Sequence, residues 1–282
     1  MKHPDERVAL QAVEFWSTVC EEEVELAIEA QEVRPFPLLI RSFPTHLRPA
    51  HLCQAQDYGE APETESKYFA KIALPEIIPV LLLLLTKQEE DADDDEWNVS
   101  MAAGTCLSLL AGAVQDAVVP AVIPFIEAHI KAEDWHQREA AVMTFGSILE
   151  GPDPSVLTPL VNQALPLLID MMADTNIHVK DTTAWTLGRI CDLLISTIKP
   201  DVHLHPLISA LVNGLQDSPR IVANCCWALM NLADQLGMYY EDEADAAQSG
   251  PLSPYYEGVV QALLRVTETY ILHLIISQPN SL

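Results

Sequence analysis

The sequence predicts an all-α fold, a right-handed superhelical solenoid built from antiparallel helix pairs. Three observations predict it. The chain is 49% hydrophobic but only 6% aromatic, the profile of Leu/Ala/Val-rich helices. Helical periodicity runs through most of its 282 residues. Helix pairs then recur at a fixed step: Arg138-Glu139-Ala140-Ala141-Val142-Met143-Thr144-Phe145-Gly146 aligns with Lys180-Asp181-Thr182-Thr183-Ala184-Trp185-Thr186-Leu187-Gly188 at an offset of 42, and the next step carries Trp185 onto Trp227.

A period of about 40–47 residues made of helix pairs marks HEAT or armadillo repeats. One pair cannot bury its apolar face alone, so pairs stack. Residues 1–32 read as the second helix of a truncated repeat. Residues 33–63 read as an irregular insertion. Repeats follow at 64–114, 115–151, 152–196 and 197–237, then a linker and partial repeat over 238–268 whose helix covers 251–267. Each first helix carries a proline among aliphatics: Pro79, Pro124 and Pro166, 45 and 42 residues apart. An interior proline removes one hydrogen bond and bends its helix. Asp134, Asp174 and Asp217 fall at the turns that open second helices, where a carboxylate can cap free amides.

Two segments leave the pattern. Residues 33–56 hold no acid, three arginines (Arg34, Arg41, Arg48) and four prolines. The tail 269–282 has no visible period. Both are read either as a plain loop and tail or as translated non-coding sequence. The pattern also places the start and stop of the chain within repeats, without polar caps.

Charge narrows the partners. There are 41 acidic against 15 basic residues, a net charge of −26. Nucleic acid and anionic membranes would be repelled, and basic protein segments attracted. The stretch Ile72 to Leu85, taken as the longest apolar run, is broken by Pro75, Glu76 and Pro79 and is too short to cross a bilayer. The six cysteines show no paired spacing and read as reduced core residues. No phosphate-binding glycine loop, nucleophile elbow or HExxH motif occurs. No enzyme activity, cofactor or metal is therefore expected. His203 and His205 would diverge on a helix, and Glu21-Glu22-Glu23 reads as a solvated run.

The candidate site is the run Glu89, Glu90, Asp91, Asp93, Asp94, Asp95, Glu96, in which seven of eight residues are acidic, followed at once by Trp97. It lies inside a helix hairpin. Such a loop can engage several lysines or arginines at once and steer a basic partner from a distance. Alternatively, it only solvates. Trp185 and Trp227 hold equivalent places in successive second helices. Asp181 lies one turn before Trp185, and Asn224 three residues before Trp227. A ring beside a carboxylate makes a slot for a cationic side chain, worth about 0.5–2 kcal/mol for the ring alone. In this reading Leu187, Ile190, Leu229 and Leu232 supply the core and leave the rings facing out. The alternative is that both rings pack between repeats.

Several segments together resemble the importin-beta family of nuclear import receptors. They are Val8–Trp16, Asp93–Asn98, Arg138–Met143, Thr183–Ile190 and Cys226–Leu229. The resemblance covers about 5–32 and 57–268. It implies middle HEAT repeats of such a receptor, present in cytoplasm and nucleus and at the nuclear pore. It further implies that Glu89–Glu96, Trp97, Trp185 and Trp227 bind the basic importin-beta-binding helix of importin-alpha, or similar basic cargo. Asp181 is added from helix geometry, and Asn224 from its place beside Trp227. A partial Ran-GTP site and weak nucleoporin binding are also implied. A general HEAT scaffold, such as a phosphatase regulatory subunit, is the other reading.

Overall fold

A computed structural model describes residues 1–32, 65–88, 97–241 and 250–277. The acidic run Glu89–Glu96, the acid-free segment 33–56 and Cys53 lie outside the described residues. What is described is helical, with no strand. The helices are α1 (Glu6–Glu32), α2 (Phe69–Leu85), α3 (Val99–Val114), α4 (Val119–His129), α5 (Trp135–Ser147), α6 (Pro154–Met171), α7 (Ile177–Leu193), α8 (His205–Gly214), α9 (Pro219–Glu241) and α10 (Tyr256–Ser277).

They pack as a stack of antiparallel pairs: α2 with α3, α4 with α5, α6 with α7, α8 with α9. The second helices also pack on each other, α3 on α5, α5 on α7 and α7 on α9, with α1 packed on α3. The fold is thus the all-α solenoid that the period predicts. One continuous apolar core runs along the stack, from Val13 and Cys20 through Leu107, Leu110, Val142, Leu187 and Ile190 to Leu229 and Leu232. Prolines sit inside α2, α4 and α6. α8 has Pro206 in its first turn instead, where the missing amide costs nothing.

Turn chemistry fixes the register between repeats. Asp134 caps α5, its side chain accepting from the His136 amide at 3.1 Å. Asp174 and Asp217 accept turn amides just before the helices, Asp174 from Asn176 at 2.8 Å and Asp217 from Ser218 at 2.9 Å. Asn176 caps α7. Asp174 also receives Nε and an Nη of Arg138, both at 2.9 Å, and Asp217 pairs with Lys180. Each pair ties a second helix to the turn of the next repeat.

The run Glu21-Glu22-Glu23 is not simply solvated either. Glu23 is buried and accepts hydrogen bonds from the amides of Phe69 (2.7 Å) and Ala70 (3.1 Å) and from the Ser66 hydroxyl (3.1 Å). Tyr68 precedes α2 with φ 57° and offers no side-chain cap. A carboxylate from α1 satisfies those free amides and meets the positive end of the helix dipole.

Three further differences stand out. The span Val99–His129 is longer than 72–85 and, with a mean hydropathy of 1.8, is long and apolar enough by length and composition to cross a bilayer. It is two core helices divided by a turn at Gln115, where φ is 52°. α10 continues to Ser277, beyond the end at 267 that periodicity gives. His203 is buried and accepts the Lys199 amide at 3.2 Å. Cys20, Cys106, Cys191 and Cys225 are buried free thiols, and burial pushes Cys191 up to about 12.

Candidate functional site

The second helices share a groove of about 450 Å³ that crosses all four of them. Its walls follow from the period. α3 supplies Ser100 and Met101, α5 Glu139 and Met143, α7 His178, Asp181, Thr182 and Trp185, and α9 Arg220, Ala223 and Asn224. Met101, Met143, Trp185 and Trp227 are each 42 residues apart, as are Trp97, Glu139 and Asp181. The first series runs from two methionines to two tryptophans along one face, and the second sets Trp97 and then two acids, Glu139 and Asp181, beside it. Residues one turn apart on a helix share a face.

Gln88, just before the acidic run, and Asn98, one residue beyond the Trp97 that follows it, both line this groove. Asn98 caps α3, accepting the amides of Ser100 and Met101 at 3.0 Å each. Gln88 reaches inward. Its side-chain amide donates to the His136 carbonyl at 3.0 Å and to the Glu139 carboxylate. The Gln88 Oε1 atom is buried with no hydrogen-bond partner among the described residues.

Glu139 is the buried acid of the groove, 6% exposed. It bridges repeats by accepting the Thr182 hydroxyl at 2.6 Å. Burial pushes its carboxyl above the ordinary range, against the hydrogen bonds from Thr182 and Gln88; a charged form out of water is costly unless paired. Asp181 lies one repeat on. It pairs with Arg220 at 2.9 Å and accepts from the Asn224 side chain at 2.8 Å. Asp181 and Asn224, chosen separately from sequence, are thus bonded to each other.

The rings do not stand free. Trp185 and Trp227 are half-buried. The Trp185 ring lies across Gly146, and the Trp227 ring across Gly188, on the preceding second helix. Neither glycine has room for a methyl group. Leucines fill the core as expected, but the gap between second helices is left for a flat ring. Arg189 sits over Trp185 at 5.3 Å from the ring centroid and pairs with Glu150 at 3.0 Å. The slot beside Trp185 therefore already holds a cation of this chain. Trp97 is 48% exposed at the start of α3. It and Trp227 do not line the groove, whereas Trp185 does.

Sequence reasoning missed Glu139, Gln88, Arg220 and His178. The signal for Glu139 was present, since it sits 42 residues before Asp181. Trp135, also missed, stacks on His136 (3.8 Å) and His178 (4.9 Å) and braces the groove wall. Among the described residues, no three His, Cys, Asp or Glu side chains come together to hold a metal.

Comparisons with known proteins agree with this architecture. The HEAT-like repeat family matches residues 135–190, and the importin subunit beta-1-like family, TPR repeats, matches 206–271. Importin subunit beta-1 of Schizosaccharomyces pombe is 51% identical over 268 residues, 95% of this chain and 28% of that protein. The Arabidopsis thaliana protein of the same name is 40% identical over 274 residues, 94% of this chain and 28% of its own. A crystal structure of importin beta superposes with a TM-score of 0.79 at 43% identity, covering 95% of this chain and 28% of the other. Yeast importin-beta (Kap95p) gives 0.76 at 39% identity, covering 93% of this chain and 27% of the other. The chain spans little over a quarter of the relatives it matches. With the helix-pair period, the acidic run and the ring series in place, the chain belongs to the importin-beta family.

Proposed function

We propose that this segment is the part of a nuclear import receptor that grips a basic helix. The partner is the importin-beta-binding helix of importin-alpha or similar basic cargo. The role is binding and not catalysis. Glu89–Glu96 draws the helix in, and the groove across the second helices receives it, with Glu139, Asp181 and Asn224 facing cations and Trp185 and the methionines facing their stems. Trp97 and Trp227 extend the ring surface at either end.

The observation that carries this reading is that Gln88 and Asn98, on either side of the acidic run, both line a groove containing two carboxylates. A dense acidic set beside a partly apolar groove suits an amphipathic basic helix. Family membership supports it. Relatives of this chain include Kap95p studied with RanGDP and a Kap95:Nup1 complex. By extension, release is linked to Ran-GTP, nucleoporins are further partners, and the protein works in cytoplasm, nucleus and pore.

The burial of both tryptophan rings against glycines favours a second reading for those rings, as inter-repeat packing in a general HEAT scaffold. Binding separates the two. An arginine-rich helical peptide is titrated against the intact chain and against a chain with Glu89–Glu96 made neutral, at rising salt. The receptor reading expects affinity that falls with salt and a shallower slope for the neutral chain. A folded chain without affinity for the peptide would favour the scaffold.

A further inference from the structure

We infer that His178, stacked on Trp135, is a flat platform in the groove wall on which a guanidinium of the bound helix lies, so that the groove selects arginine over lysine. This deepens the proposed reading of the groove as a basic-helix site and rests on it.

The 42-residue step puts His136, His178 and Arg220 at equivalent places near the start of α5, α7 and α9. All three side chains end in a planar group that bears nitrogen, but they are not used alike. His136 is tied to Asp134, with its Nδ1 atom 2.8 Å from the carboxylate. Arg220 is paired with Asp181 at 2.9 Å. The His178 ring takes part in no hydrogen bond or ion pair among the described residues, and its contact is the stack on Trp135.

That stack gives the ring a defined posture. The Trp135 and His178 rings lie 4.9 Å apart between centroids and 18° from parallel. Trp135 is braced in turn by His136, at 3.8 Å and 24°. The His178 backbone is fixed as well, because its amide donates to the Asn176 cap at 2.8 Å. His178 is half-buried. It lines the groove and Trp135 does not, so the surface that the imidazole leaves uncovered borders the groove.

A guanidinium is planar and weakly hydrated. It stacks on a flat ring and keeps its N–H edges for other partners. An ammonium is compact and strongly hydrated, and it has no plane to match. Asp181 lies one turn on from His178 in the same wall, so carboxylate charge stands near the ring whichever cation arrives. Charge therefore draws both kinds of basic helix, and the plane of His178 separates them.

The test is the affinity of the full 282-residue chain for two helical peptides of equal length and charge at one salt concentration. One is arginine-rich, and the other has every arginine replaced by lysine. The chains are wild type, H178L, H178A and H178F. Wild type is expected to prefer the arginine peptide. H178L and H178A lack the plane, and they are expected to lose about three- to tenfold in affinity for the arginine peptide and little for the lysine peptide. H178F restores a plane and is expected to restore the preference. Two ringless chains are used so that a loss of helical circular dichroism in one leaves the other to decide. A ratio of arginine to lysine affinity that is the same in wild type and in the folded ringless chain would overturn the inference, as would H178F behaving like the ringless chains. Failure of wild type to bind either peptide would sink the reading beneath the inference, and the inference with it.

Discussion

The ring of Trp185 packs against Gly146, one repeat back, through its Cζ3 and Cε3 atoms, and the same two atoms join Trp227 to Gly188. Met143 over Gly104 is the first member of the series, with its sulfur at 3.4 Å from where a Cβ would stand. Each glycine lets two second helices approach through one flat side chain. Gly146→Ala is expected to push the ring aside and destabilise the chain by about 1–3 kcal/mol. In a Trp185→Ala background the added methyl should cost far less, because the ring it meets is gone. Urea midpoints for the four chains check this; equal costs in both backgrounds would refute the contact.

Arg138 holds the turn between its own repeat and the next through a two-pronged pair with Asp174, and it also donates to the carbonyls of Ala132 and Glu133 at 2.9 and 2.8 Å. Arg138→Ala strips partners from a carboxylate 12% exposed and from two carbonyls. The expected loss is about 2–3 kcal/mol, above that of a surface pair because the group left behind is shielded from water. An unchanged thermal midpoint would mean that the pair is ornamental.

Glu23→Ala removes the cap that α1 lends to α2. The expected cost is about 1 kcal/mol, felt locally. Hydrogen exchange at the Phe69 and Ala70 amides should quicken before the rest of α2. Uniform exchange along α2 would count against a capping role.

Stability should respond to pH in two opposite ways. For Asp217 the Lys180 hydrogen bond holds the carboxyl below its ordinary 3.8. For Asp174 burial is the largest influence and raises it, but hydrogen bonds from Arg138 and the Asn176 amide outweigh it, and the carboxyl also lies low. Acids of lowered pKa contribute stability that is present above the usual carboxylate range and is lost as pH falls through their folded values. Glu139 has the reverse sign. Burial raises it above 4.5, so the folded chain keeps a proton that the unfolded chain releases. Its contribution falls as pH rises from 4.5 through the folded value. Glu139→Gln should therefore gain on wild type over that rising limb and least below 4.5. Parallel denaturation curves across pH would rule this out.

The period, the pairing of helices and the equivalence of Trp185 and Trp227 were legible because stacking demands the same side chains at the same step. Asp181 and Asn224 were legible for the same reason. Glu139 was passed over because a single acid among Ala140, Ala141 and Val142 carries no local sign of its partners; Thr182 and Gln88 lie 43 and 51 residues away. Arg220 was hidden likewise, since its pairing with Asp181 exists only across two repeats. The sequence leaves the posture of the rings open between facing out and packing between repeats, because hydrophobic pattern says which face is apolar and not how closely two helices approach. That distance is set here by Gly146 and Gly188, whose spacing of 42 was visible but whose opposite partners were not.

The central claim is that a basic helix lies in the groove across α3, α5, α7 and α9. Photocrosslinking of an arginine-rich helical peptide to the intact chain, with the label moved along the peptide and the products mapped by mass spectrometry, tests it most directly. The account predicts crosslinks at Met101, Met143 and Trp185, lost together when Glu139 and Asp181 are made neutral. Crosslinks confined to the first helices α2, α4, α6 and α8 would contradict it.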